Sequence, residues 1–153
     1  MFLGYQQGKI KFYTTHELNK DLYNLDEVVE TQEEYVYDAD AEEYVLNNEE
    51  YKERQVQKER ERIGNLNLTG ADVERGIYQA KGMDFEDILD MVKTLQPQGL
   101  DIKALKIELK ANHFYRGNPY VNAIGTLLGF TEEQLDKFFE TNDYTVLLSS
   151  EVE

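Results

Sequence analysis

Hydrophobic and polar positions predict a β-rich beginning of the chain. Residues 9–14 (KIKFYT) alternate apolar and polar side chains, and residues 34–37 (EYVY) and 43–46 (EYVL) share one short β-prone pattern. Residues 38–42 between the last two segments are mostly acidic and suit a turn, so we expect a β-hairpin. An isolated hairpin is marginally stable in water. It therefore needs a third strand, such as residues 9–14, or a partner surface.

The pattern changes to a polar helix after the hairpin. From Asn48 to about Ile63 the chain is rich in helix formers, and it contains neither proline nor glycine before Gly64. Its apolar side chains are few, chiefly Val56 and Ile63, which lie seven residues apart. Such a helix either bridges two regions through solvent or joins copies of itself along a narrow seam.

Helical periodicity with clear caps predicts five short helices in the remainder. Glycine or proline residues at 82, 97 and 129 end the first, second and fourth of these helices. The expected N-caps are Thr69, Asp84, Asp101, Asn118 and Thr131. The expected inward residues are Ile88, Leu89, Val92, Leu95, Ile102, Leu105, Leu109 (continuing toward Phe114), Val121, Ile124, Leu127, Leu128, Leu135, Phe138 and Phe139.

These elements together predict an α+β protein with four parts. Residues 1–47 form a β arm with the hairpin, and residues 48–66 form the polar connecting helix. Residues 67–145 form a bundle of about five helices, and residues 146–153 form a C-terminal tail.

Composition excludes several functional classes. The chain has 31 acidic and 16 basic residues, a net charge of −15, which opposes phosphate contacts with nucleic acid and attraction to anionic lipid. It has no cysteine, which excludes disulfides, a thiol nucleophile and cysteine zinc sites. No apolar run approaches the length of a membrane span, and the N-terminus does not resemble a signal peptide. We expect a protein of the cytoplasm that does not bind membranes.

The negative charge is concentrated in the β arm. Residues 17–50 contain 13 acidic residues and one lysine, so they account for −12 of the total of −15. A whole-molecule imitation of DNA favours a continuous acidic surface, whereas this distribution directs attention to the arm and its tyrosines.

No catalytic motif accompanies these elements. His16 and His113 have no neighbours at metal-ligand spacing, and no nucleophile pattern is present. Two helical pairs, residues 71–95 and 123–139, have the rhythm of a helix-turn-helix, but their second helices are acidic and would repel DNA. We therefore expect no enzyme and no cofactor.

The hairpin turn offers a weak calcium alternative. Asp38, Asp40, Glu42 and Glu49 occupy spacings found in calcium loops. Glu43 replaces the glycine that such loops need at their sharp turn, and the preceding segment is a predicted strand. A solvated acidic turn is the simpler interpretation.

Aromatic residues suggest two places for partner contacts. Tyr35 and Tyr37 share one strand face, and Tyr44 lies on the opposite strand of the predicted hairpin. In the loop 112–120, Tyr115 and Arg116 are of the types that dominate protein interfaces. The alternative for this loop is a structural corner between helices, with the rings completing the core.

Three blocks of sequence resemble a known group of proteins. They are residues 8–14 (GKIKFYT) with 28–36 (VVETQEEYV), residues 58–63 (KERERI) with Leu68-Thr69, and residues 114–119 (FYRGNP) with 128–139 (LGFTEEQLDKFF). The chain resembles small acidic, uncharacterised proteins of phages and prophages of Gram-positive bacteria, whose genes lie near tail, baseplate and lysis genes. No functional residue comes with the resemblance.

The resemblance implies a structural or assembly protein of a phage. We expect it to act in the host cytoplasm or as a component of the virion, through contacts with other phage proteins or with itself as a homo-oligomer. The alternative is an acidic inhibitor that imitates DNA and binds a host nucleic-acid-binding protein.

Overall fold

The computed structural model describes residues 1–148 and confirms the α+β class, with strands first and helices after them. The chain divides into two compact units. Residues 1–58 form the N-terminal unit, and residues 59–148 of the described chain belong to the helical unit.

Three strands of the N-terminal unit form an antiparallel sheet in the order β2-β1-β3. They are β1 (Phe2–Gln6), β2 (Lys9–Thr14) and β3 (Glu27–Glu30). Gln7 and Gly8 connect β1 to β2 with φ angles of 53° and 77°. A turn with positive φ at both residues has a twist that matches the twist of the two strands it connects. β2 was predicted, whereas β1 and β3 were missed.

The predicted hairpin is confirmed as β4 (Tyr35–Asp38) and β5 (Glu43–Leu46), which pair antiparallel. The suggestion that β2 completes its sheet is wrong, because β2 pairs with β1 and the hairpin remains a separate two-stranded sheet. β2 is nevertheless close to the hairpin and contacts it through side chains. The main-chain N–H of Ile10 donates to the Glu43 carboxylate at 3.2 Å.

The predicted polar helix is confirmed as α1 (Glu49–Gly64), and none of its residues is buried. Asn48 starts it by accepting a hydrogen bond from the Tyr51 N–H at 2.9 Å. Because the side chains of a helix this polar stay in water, its stability depends on helix propensity and on pairs such as Glu50 with Arg54. The boundary between the two units falls within this helix.

The helical unit contains the five predicted helices. Each predicted N-cap side chain accepts a hydrogen bond from a main-chain N–H in the first turn of its helix, so all five caps are confirmed. Gly82 and Gly129 end two of the helices in the left-handed conformation. The helices are α2 (Gly70–Lys81), α3 (Phe85–Leu95), α4 (Ile102–Glu108), α5 (Pro119–Leu128) and α6 (Glu132–Thr141).

Two details of the predicted bundle are wrong. The third helix does not continue toward Phe114, because it ends at Glu108 and Phe114 lies in a short strand, β7 (His113–Tyr115). This strand pairs with β6 (Asn67–Thr69), which joins distant parts of the chain. Leu95 is exposed, although it was expected to point inward, because it is the last residue of α3.

The end of the described chain belongs to the core. A 3-10 helix, Tyr144–Leu147, follows α6 and buries Leu147 against the bundle. The tail predicted from residue 146 therefore overlaps the fold, and residues 149–153 lie outside the described residues. Within residues 1–148, no helix is both long enough and apolar enough to cross a lipid bilayer.

Candidate functional site

The hairpin turn is ordered by its own acidic residues. Asp38 Oδ1 accepts hydrogen bonds from the N–H groups of Asp40, at 2.9 Å, and Ala41, at 3.2 Å. Glu42 completes the turn with a φ of 56°, a left-handed conformation that is unfavourable for a glutamate. The turn thus forms without glycine, and backbone strain at one residue accompanies it.

Relieving this strain is expected to stabilise the hairpin. Glu42→Asn and Glu42→Gln remove the same charge, but only asparagine tolerates the left-handed conformation well. We expect the free energy of opening the hairpin to be about 0.5–1 kcal/mol higher for Glu42→Asn than for Glu42→Gln. Hydrogen exchange at the paired amides of Val36 and Val45 measures it. Equal exchange rates in the two variants would show that the turn is unstrained.

Tyrosine side chains cover one face of the hairpin. Tyr35 and Tyr37 point to the same side, with Tyr44 directly opposite Tyr37, as the alternation predicts. Tyr13 of β2 joins them, with ring centroids 5.6 Å from Tyr35 and 6.0 Å from Tyr44. The Tyr37 and Tyr44 rings meet edge to face at 5.3 Å. Tyr37 remains 51% exposed, so the tyrosine cluster of residues 13, 35, 37 and 44 presents one ring to solvent.

The environment of Tyr35 favours its neutral hydroxyl. Burial raises the pKa of Tyr35, and the nearby Tyr5, Glu33 and Tyr13 raise it further. A neutral hydroxyl keeps its hydrogen-bonding proton at physiological pH. Tyr35 therefore contributes a neutral ring with a polar edge to the tyrosine cluster.

The basic side chains of the N-terminal unit are mostly bound to the unit itself. Lys9 and Lys11 donate to the carbonyl oxygens of Ala41 and Glu42, at 2.8 and 2.6 Å, which ties β2 to the hairpin turn. Three more pair with carboxylates: Lys58 with Asp40, Lys52 with Glu49, and Arg54 with Glu50. Within residues 1–148, the Lys20 side chain has no ion pair or hydrogen bond.

The surface of the unit is consequently anionic. Residues 1–58 contain 14 acidic and 6 basic residues, a net charge of −8. Several exposed carboxylates form no ion pair within the described chain, namely those of Glu17, Asp21, Glu27, Glu30 and Glu33. Lys52, Arg54 and Lys58 are paired with carboxylates, and the net charge of −8 makes the potential outside this unit negative.

The residues of the calcium alternative serve other purposes. Asp38 orders the turn, the Asp40 carboxylate binds the Lys58 ammonium at 2.9 Å, and Glu49 pairs with Lys52 in the first turn of α1. Glu42 lies at the strained end of the turn. In the part of the chain that the structure describes, no group of three or more histidine or acidic residues could hold a metal ion.

Arg116 lies in the helical unit and is buried, whereas its neighbour Tyr115 is exposed. The Arg116 guanidinium donates to Asp136 Oδ1 and Asn122 Oδ1, both at 2.7 Å, and to the Glu132 carbonyl oxygen at 3.4 Å. Its side chain is only 7% exposed. The loop is thus a structural corner at Arg116, and only Tyr115 of this pair is available to a partner.

Two grooves adjoin this network in the helical unit. The larger, of about 360 Å³, is lined by Arg60, Ile63, Gly64, Arg116, Gly117, Glu132 and Asp136. The second, of about 240 Å³, lies along Arg62, Ile63, Leu66 and four residues of α6. Ile63 and Asp136 line both grooves, and the second groove is also lined by Arg62 and Glu140, which form an ion pair at 2.8 Å. Both grooves combine basic and acidic groups, so neither selects one charge of ligand.

Comparison with protein-family models, curated proteins and solved structures finds no significant match to this chain. The geometry of the chain itself therefore carries the functional argument. Of the residues predicted to contact a partner, the structure brings Tyr35, Tyr37 and Tyr44 together in the N-terminal unit. Tyr13 was not predicted to join them, although the alternation of Phe12 and Tyr13 in β2 is a signal in the sequence.

Proposed function

We propose that this protein is a structural or assembly protein of a phage that acts through protein–protein contacts of its N-terminal unit. The observation that carries the proposal is the tyrosine cluster with the half-exposed Tyr37, set in an anionic unit. Tyrosine supplies a large contact area with little loss of side-chain entropy, and it is enriched among interface hot spots. The phage context comes from the resemblance in sequence.

Acidic surroundings support a role in partner selection. Charges around an aromatic anchor steer a complementary partner and repel an unsuitable one, and they affect the association rate more than the final affinity. The unit is a folded sheet and hairpin with a defined strand register, so the tyrosines are held in place before a partner arrives. Such preorganisation reduces the entropy lost on binding.

Quantitative mass spectrometry of purified phage particles tests the proposal. A phage carrying Tyr37→Ala should lose the protein from its particles, or lose assembled tails if the protein is an assembly factor. Tyr78→Ala is the matched control, because Tyr78 is a 61% exposed tyrosine on α2 of the helical unit. We expect particles of the control phage to match the wild type.

Two results would contradict this function. Deletion of the gene with unchanged particle yield and morphology would exclude an assembly role. Salt-sensitive binding to a host DNA-binding protein, together with normal particles, would favour the acidic inhibitor instead.

A further inference from the structure

Strand β4 has a free edge, and the hairpin register identifies its main-chain groups. The Asn47 N–H donates to the Glu34 carbonyl oxygen at 2.9 Å, so these two residues form a hydrogen-bonded pair. Hydrogen-bonded and non-hydrogen-bonded residue pairs alternate along an antiparallel ladder. Val36 therefore bonds to Val45, whereas the N–H and carbonyl groups of Tyr35 and Tyr37 point away from β5.

No other part of the described chain uses these groups. The main-chain N–H and carbonyl groups of Tyr35 and Tyr37 form no hydrogen bond within residues 1–148. The sheet has only two strands, and a third strand would add both ladder hydrogen bonds and side-chain contacts. An extended segment added at β4 would lie directly beside the exposed Tyr37 ring.

Charge indicates which segment fits this edge. Glu33, Glu34 and Asp38 flank the two tyrosines, and Asp40 follows in the turn. A second copy would have to pair through the same outward groups of Tyr35 and Tyr37. An antiparallel pairing of Tyr35 with Tyr37, centred on Val36, would place Glu34 opposite Asp38, and like charges directly opposite are unfavourable. Lysine or arginine side chains on an added strand would meet these carboxylates favourably.

We propose that the β4 edge binds a basic, extended segment of a partner protein by strand addition. Main-chain bonds to Tyr35 and Tyr37 give the segment its register, the Tyr37 ring packs on one of its side chains, and the flanking carboxylates select its positive charge. The inference rests on the proposed protein–protein function and names the chemistry of the partner at the same surface.

NMR titration of the full-length ¹⁵N-labelled chain tests the proposal. The probe is a seven-residue peptide of alternating lysine and valine, and one control peptide has glutamate in place of lysine. A second control keeps the lysines and valines but has every internal main-chain nitrogen methylated, so it cannot complete a β-ladder. We expect saturable chemical-shift changes at the amides of Tyr35 and Tyr37 with the probe and with neither control peptide. The probe should bind at least about tenfold more weakly in 0.5 M NaCl.

Two variants of the protein separate the main chain from the ring. Tyr37→Thr and Tyr37→Pro both remove the ring, but only proline also removes the outward N–H. An edge strand tolerates proline at such a position, because the missing N–H is not bonded within the sheet. We expect Tyr37→Pro to bind the probe at least about tenfold more weakly than Tyr37→Thr. Should Tyr37→Pro unfold the hairpin, the methylated peptide still tests the main-chain contribution.

Several results would overturn the inference. They are unperturbed Tyr35 and Tyr37 amides at millimolar probe, equal binding of the methylated peptide, or equal binding of the glutamate peptide. A dimer seen by sedimentation without peptide, with shifts at the same amides, would identify a second copy as the occupant. If Tyr37→Ala removes the protein from particles while the probe does not bind, strand addition is wrong and the assembly function stands.

Discussion

Replacing Arg116 by methionine should lower the free energy of unfolding of the helical unit by about 1.5–3 kcal/mol. The Arg116 guanidinium is nearly fully buried, and its donors bind Asp136, Asn122 and the Glu132 carbonyl oxygen. Methionine fills a similar volume but leaves these acceptors without their donors. Because the Asp136 side chain is 36% exposed, water replaces part of the lost interaction, so we expect a loss of the size found for hydrogen bonds to charged groups. Urea denaturation followed by circular dichroism at 222 nm measures the change.

Arg62→Met is the matched control for this experiment. Arg62 also forms two ion pairs, with Glu59 and Glu140, both at 2.8 Å, but its side chain is 48% exposed. Water and salt screen such pairs, so we expect a denaturation midpoint close to that of the wild type. Equal destabilisation by the two substitutions would show that burial of the Arg116 network adds nothing.

Gly76→Ala should destabilise the helical unit by about 2–3 kcal/mol, although alanine is the better helix former. Gly76 lies in the interior of α2, and a Cβ atom there would come within 2.4 Å of Phe138 Cζ and 2.7 Å of Phe138 Cε1. Phe138 is buried and packs edge to face on Phe139 at 5.9 Å. Because the Phe138 ring is buried and already packs on Phe139, it has little room to move away from the new methyl group. The cost of overpacking therefore outweighs the gain in helix propensity.

A double-mutant cycle with Phe138→Leu isolates the clash. The smaller leucine makes room for the alanine methyl group, so the double variant should be more stable than the sum of the single changes predicts, by about 1 kcal/mol or more. Gly125→Ala provides a comparison, because its Cβ would meet the flexible end of Leu135, at 2.6 Å from Cδ1. Additive effects of Gly76→Ala and Phe138→Leu would place the cause of destabilisation elsewhere.

Local signals made the helices of this protein predictable. A cap such as Thr131 with Gln134 satisfies main-chain groups a few residues away, so the sequence shows both partners of the interaction together. The hairpin was predictable for a similar reason, since its strands are near neighbours in the chain. Leu95 was misplaced because periodicity does not show where a helix leaves the core.

Non-local pairing accounts for what the sequence did not show. β1 pairs with β3, although β2 and the segment around Lys20 lie between them in the chain. β7 pairs with β6, which precedes α2. Neither pairing therefore has a local signature in the sequence. Within the candidate site, Tyr35, Tyr37 and Tyr44 were predicted from strand alternation, whereas Tyr13 reaches them by tertiary packing. Arg116 was ambiguous because its acceptors Asp136 and Asn122 lie on two different helices.

The short ladder of β6 and β7 has a consequence for how the helical unit folds. It joins Leu68 to Phe114 and so closes a long loop that contains α2, α3 and α4. Closing a loop costs entropy before any contact rewards it, while the capped helices inside the loop form from local interactions. We expect these helices to form early and the ladder to close late. Once the buried Leu68 and Phe114 close it, a helix that detaches within the loop gains less conformational entropy, because both ends of the loop stay fixed. The ladder therefore favours cooperative unfolding of this unit.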